Sequence, residues 1–410
     1  MNPTAPSERE PILDALRGFA ILGILLVNVE VMRGPEWLIR LGGESLEPPE
    51  ALIDRLAQFV VGWLAAGKFV SSLAFLFGIG AALIASRALQ AGRSPRPLLA
   101  RRYVWLMAFG LAHMLIYPGD ILFLYGVTGI ALLFFVRLRV RTLLLWAAAI
   151  LAAYSALGVS YLASMAEAHA AVGDMEAAAE GLGELAHTHY SEALAAYGTG
   201  TPGDIAAVHV AHALLLQGMQ FLGLPWILAL FLFGYAAGRA GVVNDLRAHR
   251  GLLRGGAWLG LGFGLPLNIG LGLAGPLANW GPPPSTEPLW VTQWALIGDL
   301  IGEPVLALGY LCALALVCLS RGAISPLAAV GRMALSAYLA QSALALCVFG
   351  GLRYYDQLSA ATALLVVTSI WALLLVACPL WLRAFRLGPV EWLWRSLTYG
   401  RVQPMRAPRP

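Results

Sequence analysis

The chain has 410 residues, 59% of them hydrophobic and 12% charged, with a formal net charge of +4 and a mean hydropathy of +0.73. That balance excludes a soluble enzyme, a collagen, a disordered chain, a disulfide-rich secreted domain and a basic nucleic-acid binder, and leaves a polytopic membrane protein. The 45 glycines fit this class, because small residues let membrane helices approach closely.

At about 20 apolar residues per crossing, the sequence predicts an all-α membrane bundle of about ten transmembrane helices, at 13–32, 69–86, 102–118, 120–136, 142–163, 217–238, 253–274, 293–319, 327–350 and 360–382. The whole chain, 1–410, reads as a single integral membrane domain. The first helix is uncleaved: no small-x-small cleavage site follows it, and Arg33 and Glu36 come next. It carries Asp14 and Arg17 three apart on one face, able to pair. Asn28 and Glu30 lie near its other end, Asn28 about 16 Å from Arg17 at 1.5 Å per residue. Segment 51–68 is amphipathic and is expected to lie in the outer interface or to re-enter, with Lys68, the only lysine, snorkelling to the headgroups.

Helices 102–118 and 120–136 are separated only by Pro118-Gly119, which predicts a tight hairpin. His113 before that turn and Asp120 after it are expected to meet. A carboxylate beside an imidazole raises its basicity and fixes its tautomer, so His113 is the general-base candidate. The bland alternative is a hydrogen-bonded core histidine. Tyr117 and Tyr125 flank the same place and offer hydroxyls.

Residues 164–206, rich in alanine and glutamate, predict an extracytoplasmic amphipathic segment lying over the outer face, and 203–216 extends the sixth helix outward. Residues 276–290, with Gly281-Pro282-Pro283-Pro284, predict a stiff outer loop. His209 and His212 stand three apart, but no H-E-x-x-H or matching carboxylate motif completes a site, and no metal is predicted. Asp299 and Glu303 lie four apart on one face of 293–319. Such a pair either couples to a proton or cation, or neutralises an arginine of another helix, with Arg17 and Arg332 as partners. Arg332 opens 327–350 and precedes Ser336, Tyr338, Gln341 and Ser342, which form no single stripe and so predict a helix buried among neighbours. Cys312, Cys318, Cys347 and Cys378 lie in apolar runs without C-x-x-C spacing and read as small core residues. No phosphate-binding glycine loop or Gly-x-Ser-x-Gly elbow is present.

Arginine placement sets the expected orientation. Arg87 to Arg102, Arg137 to Arg141, Arg239 to Arg254, Arg321, and Arg383 onward all fall on one side if ten helices alternate. That side is the cytoplasm, which puts both termini inside and makes 388–410 a cytoplasmic C-terminal tail. The opposite loops are net acidic.

The order of several blocks resembles the YeiB-like membrane proteins, carriers of domain of unknown function 418. The blocks are Leu13-Asp14-Ala15-Leu16-Arg17-Gly18 running on to Asn28; Gly67-Lys68-Phe69 with Phe75-Leu76-Phe77-Gly78; His113 with Pro118-Gly119-Asp120 and Tyr125; Gly331-Arg332 with Ser336, Tyr338 and Gln341-Ser342; and Gly388-Pro389 with Glu391-Trp392-Leu393-Trp394-Arg395. Together they span nearly the whole chain. The first helix is also similar to the transmembrane acyltransferase superfamily, which includes the lysosomal enzyme that acetylates heparan glucosamine. There an Asp-x-x-Arg-Gly start and an outer asparagine recur, here Asp14, Arg17, Gly18 and Asn28. The heparan enzyme has an essential histidine just after that helix. This sequence has none between residues 29 and 112, which moves the role to His113.

Joined to the polar map, the resemblance implies an acyltransferase in the bacterial cytoplasmic (inner) membrane. It would move an acyl group, such as acetyl, from cytoplasmic acyl-CoA to a hydroxyl or amine on an extracytoplasmic sugar, lipid or cell-wall acceptor. Arg17 and Arg332, with Asp14, Gln341, Tyr338 and loop arginines, would bind the donor, since guanidinium forks match phosphate geometry. His113, oriented by Asp120, would be the base, and Asn28 would stabilise the oxyanion. The lipid bilayer is a partner, nucleic acid is not, and a homodimer is compatible with the chain. The alternatives are a proton-coupled transporter or exporter of a small anionic or lipid-like substrate, using Asp299, Glu303, Asp14 and His113, and a scaffold whose polar groups only hold the bundle together.

Overall fold

A computed structural model of the chain describes residues 11–42, 44, 49–170, 174–277 and 288–406, with the side chains of 161–170, 174–180 and 289 outside that description. The secondary structure of the described residues is helical. In chain order the helices are α1 (Pro11–Met32), α2 (Glu36–Leu41), α3 (Leu52–Leu64), α4 (Lys68–Gln90), α5 (Arg96–His113), α6 (Leu122–Leu132), α7 (Val140–Ala170), α8 (Asp174–Gly198) and α9 (Pro202–Leu222). They continue as α10 (Leu224–Arg239), α11 (Arg250–Leu267), α12 (Ile269–Ala274), α13 (Leu289–Ile297), α14 (Glu303–Arg321), α15 (Ser325–Arg332), α16 (Ala334–Leu346), α17 (Ala360–Ala384) and α18 (Pro389–Tyr399). Single π-helical turns, Gly298–Gly302 and Cys347–Gly351, interrupt the α13–α14 helix and end α16.

Among the described residues, seven helical stretches are long and apolar enough to cross a membrane: Pro11–Met32, Leu52–Gln90, Val140–Ser160, Pro202–Leu222, Trp290–Arg321, Ala334–Gly351 and Ala360–Ala384. The other crossings read from the sequence fall on α5, an uninterrupted helix that carries Arg96, Arg101 and Arg102, and on shorter or interrupted pieces. α6 and α10 are short apolar helices. α11 carries Pro266 one residue before its end, and the chain restarts at Asn268 as α12. The sixth predicted helix, 217–238, is broken at Gly223-Leu224-Pro225 between α9 and α10, where proline cannot continue the hydrogen-bond ladder. α9 begins with a capping box, Thr201 with Asp204, and Pro202 in the first turn. The Gly281-Pro282-Pro283-Pro284 loop lies outside the described residues.

Two ends of the bundle are fixed by contacts. At one end Gln217 donates to the Asp120 carbonyl at 2.8 Å and His209 to that of Leu115 at 2.9 Å. Arg33 pairs with Glu30 and Glu36 at 2.9 and 2.5 Å, and Asp54 accepts from the Ala361 amide at 2.8 Å. At the other end Tyr235 and Arg239 both donate to the Val136 carbonyl, and α18 docks on α5, with Trp394 donating to the Arg102 carbonyl at 2.9 Å.

Backbones approach most closely where glycines meet. A Cβ on Gly331 would sit 1.7 Å from the Asp14 carbonyl oxygen, and one on Gly18 would sit 2.0 Å from that of Leu327. α15 therefore lies directly on α1, backbone against backbone, as small residues permit in membrane helices. The apolar side chains left exposed, such as Leu145, Leu214, Trp258 and Leu365, form the surface a bilayer would cover.

Several expectations change. Lys68 does not snorkel: it is fully buried and donates from Nζ to the Gly62 carbonyl at 3.1 Å. The α5–α6 connection is longer than Pro118-Gly119, because α5 ends at His113 and α6 begins at Leu122. Cys347 is exposed, unlike the three other cysteines, because it lies one turn after exposed Ala343, on the face opposite buried Ala345 and Phe349.

Candidate functional site

The turn after α5 folds back as its proline and glycine require. His113 Nδ1 donates to Asp120 Oδ1 at 2.7 Å, with both side chains fully buried. Asp120 Oδ2 accepts the Phe123 amide at 2.8 Å, so one carboxylate both orients the imidazole and caps the first turn of α6. With Nδ1 donating, the lone pair rests on Nε2, and His113 Nε2 is buried without a hydrogen-bond partner. The Tyr338 ring lies 5.0 Å from the imidazole and that of Tyr117 6.0 Å away. Tyr117 Oη also has no partner. Tyr125 is committed elsewhere, donating to the Val70 carbonyl at 2.6 Å.

Below this pair, towards Arg17, lies a cavity of about 420 Å³. Arg17, Arg87, Arg102, Arg332 and Arg395 line it, against two carboxylates, Asp14 and Glu391. Tyr338 and Leu122 also line it, so the cavity extends from the arginine end of the bundle to the neighbours of His113. Along α5, Arg102 and His113 stand about 16 Å apart.

Three of these arginines are held by contacts. Arg17 donates to Asp14 at 2.9 Å, an i,i+3 pair on the first turns of α1. Arg332 reaches the Arg386 carbonyl at 3.4 Å with one nitrogen, while its buried Nε has no partner. The Arg102 guanidinium stacks 3.5 Å over the Trp394 ring, a cation–π contact. Burial, followed by the like charge of Arg102, pushes Arg395 down to about 10. Cations crowded this way are stabilised by an anion among them.

Glu391 belongs to the frame. Its Oε1 accepts the amides of Leu335 and Ser336 at 2.5 and 3.1 Å, and its Oε2 accepts from Ser336 Oγ at 2.5 Å. A carboxylate from α18 thus caps the N-terminus of α16, satisfying amides that have no partner within the helix. Burial pushes the Glu391 carboxyl up, and the bonds from Ser336 oppose that shift. The segment read as a C-terminal tail accordingly begins with a helix that forms part of the cavity wall.

The structure therefore unites His113 with Asp120 and Tyr338, and separately Asp14 with Arg17 and Arg332. Gln341, one turn beyond Tyr338, is buried with neither carboxamide atom hydrogen-bonded. Asn28 is buried on α1, but no hydrogen bond among the described residues joins it to the His113 pair. The arginine partners expected for Glu303 are also corrected. Arg17 takes Asp14, while Glu303 packs against Gly67 and within electrostatic reach of Lys68. His209 accepts from Tyr197 Oη at 2.6 Å while donating to Leu115, and His212 packs edge-on to Trp37.

Sequence reasoning left Arg87, Arg102 and Arg395 among undifferentiated loop charges and missed the capping role of Glu391. The one available signal was the Glu391-Trp392-Leu393-Trp394-Arg395 block, whose charged and aromatic residues recur at helical spacing on an otherwise polar tail.

Comparison with known proteins gives three relatives that cover nearly the whole chain. The uncharacterized protein YxaH of Bacillus subtilis is 30% identical over 425 residues, 99% of this chain and 98% of the relative. The uncharacterized protein YeiB of Escherichia coli is 27% identical over 416 residues, 97% of this chain and 98% of the relative. An uncharacterized 39.9 kDa protein from the amylase 3' region of Bacillus acidopullulyticus is 26% identical over 413 residues, again 99% and 98%. The profile of a family described as a protein of unknown function, DUF418, matches residues 237–401. No solved structure matches the chain.

Proposed function

For a chain that belongs to the DUF418 family of YeiB-like membrane proteins, we propose acyl transfer across the bacterial cytoplasmic membrane, from acyl-CoA on the arginine side to a hydroxyl or amine on the opposite side. The observation that carries this reading is the continuity of the arginine-walled cavity with the surroundings of His113. Phosphates of the donor sit among Arg17, Arg102, Arg332 and Arg395, where bidentate guanidinium contacts match phosphate oxygens. The pantetheine arm runs along the roughly 16 Å between Arg102 and His113.

At the end away from the arginines the base is His113, with Asp120 holding the tautomer that leaves Nε2 free. Nε2 takes the proton of the acceptor O–H or N–H, the acceptor atom bonds to the thioester carbonyl carbon, and the C–S bond breaks. The thiolate leaves with the proton returned by His113. Gln341, with its carboxamide unpartnered, is better supported than Asn28 as the donor to the developing oxyanion, because it shares the α16 face of Tyr338.

The test is acetyl-CoA binding to purified protein by calorimetry and thermal shift. Wild type and His113→Ala are expected to bind alike, and Arg17→Ala to bind roughly tenfold or more weakly, the cost of one charge-assisted contact. A well-folded wild type that binds no acyl-CoA sinks the reading.

A further inference from the structure

A second polar centre lies apart from the arginine cavity, where α3 turns into α4 beside the interrupted helix α13–α14. Glu303, the first residue of α14, is 2% exposed. Its carboxylate lies against Gly67, whose φ of 73° and missing Cβ are both needed, since a Cβ there would overlap both carboxylate oxygens. Lys68 follows, fully buried and within electrostatic reach of Glu303 and Asp299. Among the described residues Lys68 is the one cation whose charge bears on Glu303. The Lys68 ammonium is committed to the Gly62 carbonyl, and no hydrogen bond or ion pair among the described residues reaches the buried Glu303 Oε1. An uncompensated charge is costly at such depth.

The oxygen atoms are also short of partners. Glu303 Oε1 is buried without a hydrogen bond, and so is Oδ1 of Asn268, a residue with no exposed surface. Asn268 donates from Nδ2 to the Gly264 carbonyl at 2.7 Å, and its carboxamide packs against Gly302, the residue before Glu303. Both contributing helices are broken here, α11 after Pro266 and α13–α14 by its π-turn. Breaks of this kind bring oxygen ligands into the interior of membrane proteins.

We propose that this centre takes up one monovalent cation on Glu303, either a proton or an alkali-metal ion. The charged and titratable groups that bear on it are Lys68 from α4, Asp299 from the π-turn and Tyr154 from α7; Tyr310 of α14 is committed nearby, its hydroxyl donating to the Leu64 carbonyl at 3.2 Å. The proposal does not depend on the acyl-transfer reading.

The experiment follows the unfolding midpoint of the purified full-length protein in NaCl, KCl and choline chloride at equal ionic strength, each from pH 5 to 8. A ligand that binds only the native state raises the midpoint by mass action. An alkali ion gives a midpoint higher in Na⁺ or K⁺ than in choline. A proton gives one that is equal in the three salts and higher at low pH. Either dependence should vanish in Glu303→Gln and survive in Arg17→Ala. Lys68→Met removes the balancing charge, so the dependence should move to roughly tenfold lower cation concentration or about one pH unit upward, and this variant decides the matter if Glu303→Gln does not fold. A wild-type midpoint indifferent to cation identity, with a pH profile shared by Glu303→Gln and unmoved in Lys68→Met, overturns the proposal.

Discussion

At the scale of single residues, the proposed acyl transfer rests on which nitrogen of His113 holds the proton. Asp120 receives Nδ1–H at 2.7 Å, leaving Nε2 as the only basic position. Asp120→Asn keeps the shape but offers an amide that can force Nδ1 to accept, moving the proton to Nε2. Acyl transfer should then fall by roughly a hundredfold to ten-thousandfold while acyl-CoA binding is kept, a split readable by calorimetry beside a turnover assay. Equal loss of binding and turnover would mean that Asp120 is only structural. The histidine and aspartate could be paired from sequence because a proline-glycine turn leaves little choice of direction. The role of Gln341 could not, because nothing in the sequence tells which polar side chains of a buried helix remain unpartnered.

At the scale of elements, two contacts hold the cavity wall. The α1–α15 crossing depends on Gly331, whose Cβ would meet the Asp14 carbonyl oxygen at 1.7 Å. Gly331→Ala must push the helices apart, at a cost of about 1–3 kcal/mol, seen as a lower unfolding midpoint, with weaker acyl-CoA binding because Asp14 and Arg17 move with the backbone. Glu391 caps α16 from α18, and Glu391→Ala should cost about 1–2 kcal/mol. Its carboxyl is raised above the ordinary value of 4.5, chiefly by burial. Its contribution is therefore fully present below that value and is lost as pH rises through the folded one. Glu391→Gln keeps acceptor and donor without the charge, so its stability relative to wild type should improve as pH rises from 5 to 8. A constant difference across that range would show that the carboxyl does not titrate there.

At the scale of the molecule, segments far apart in sequence meet at two opposite ends. Arg87, Arg102, Asn244, Arg332 and Arg395 line one cavity, while Asp54, Asp120, Gln217 and the Arg33 cluster gather at the other end. The arginine bias predicts that the first end faces the cytoplasm. With the native cysteines replaced by serine, Arg321→Cys should resist a membrane-impermeant maleimide in intact cells and react after permeabilisation. Thr199→Cys should react in intact cells. The reverse pattern would invert the orientation and with it the direction of transfer.

Hydropathy determined by itself that this chain is a helical membrane bundle, because apolar runs of crossing length can satisfy their backbone only as helices in lipid. The Pro118-Gly119 break likewise carried the His113–Asp120 pair, since a turn between two short helices is a local event. What only the tertiary structure decided was long-range: that Lys68 is buried beside Glu303 instead of reaching the headgroups, that Glu391 caps α16, and that arginines from five helices close round one cavity. A charge in a sequence shows that desolvation must be compensated. Which partner compensates it depends on helix packing, and that is set by where glycines such as Gly18 and Gly331 let backbones touch.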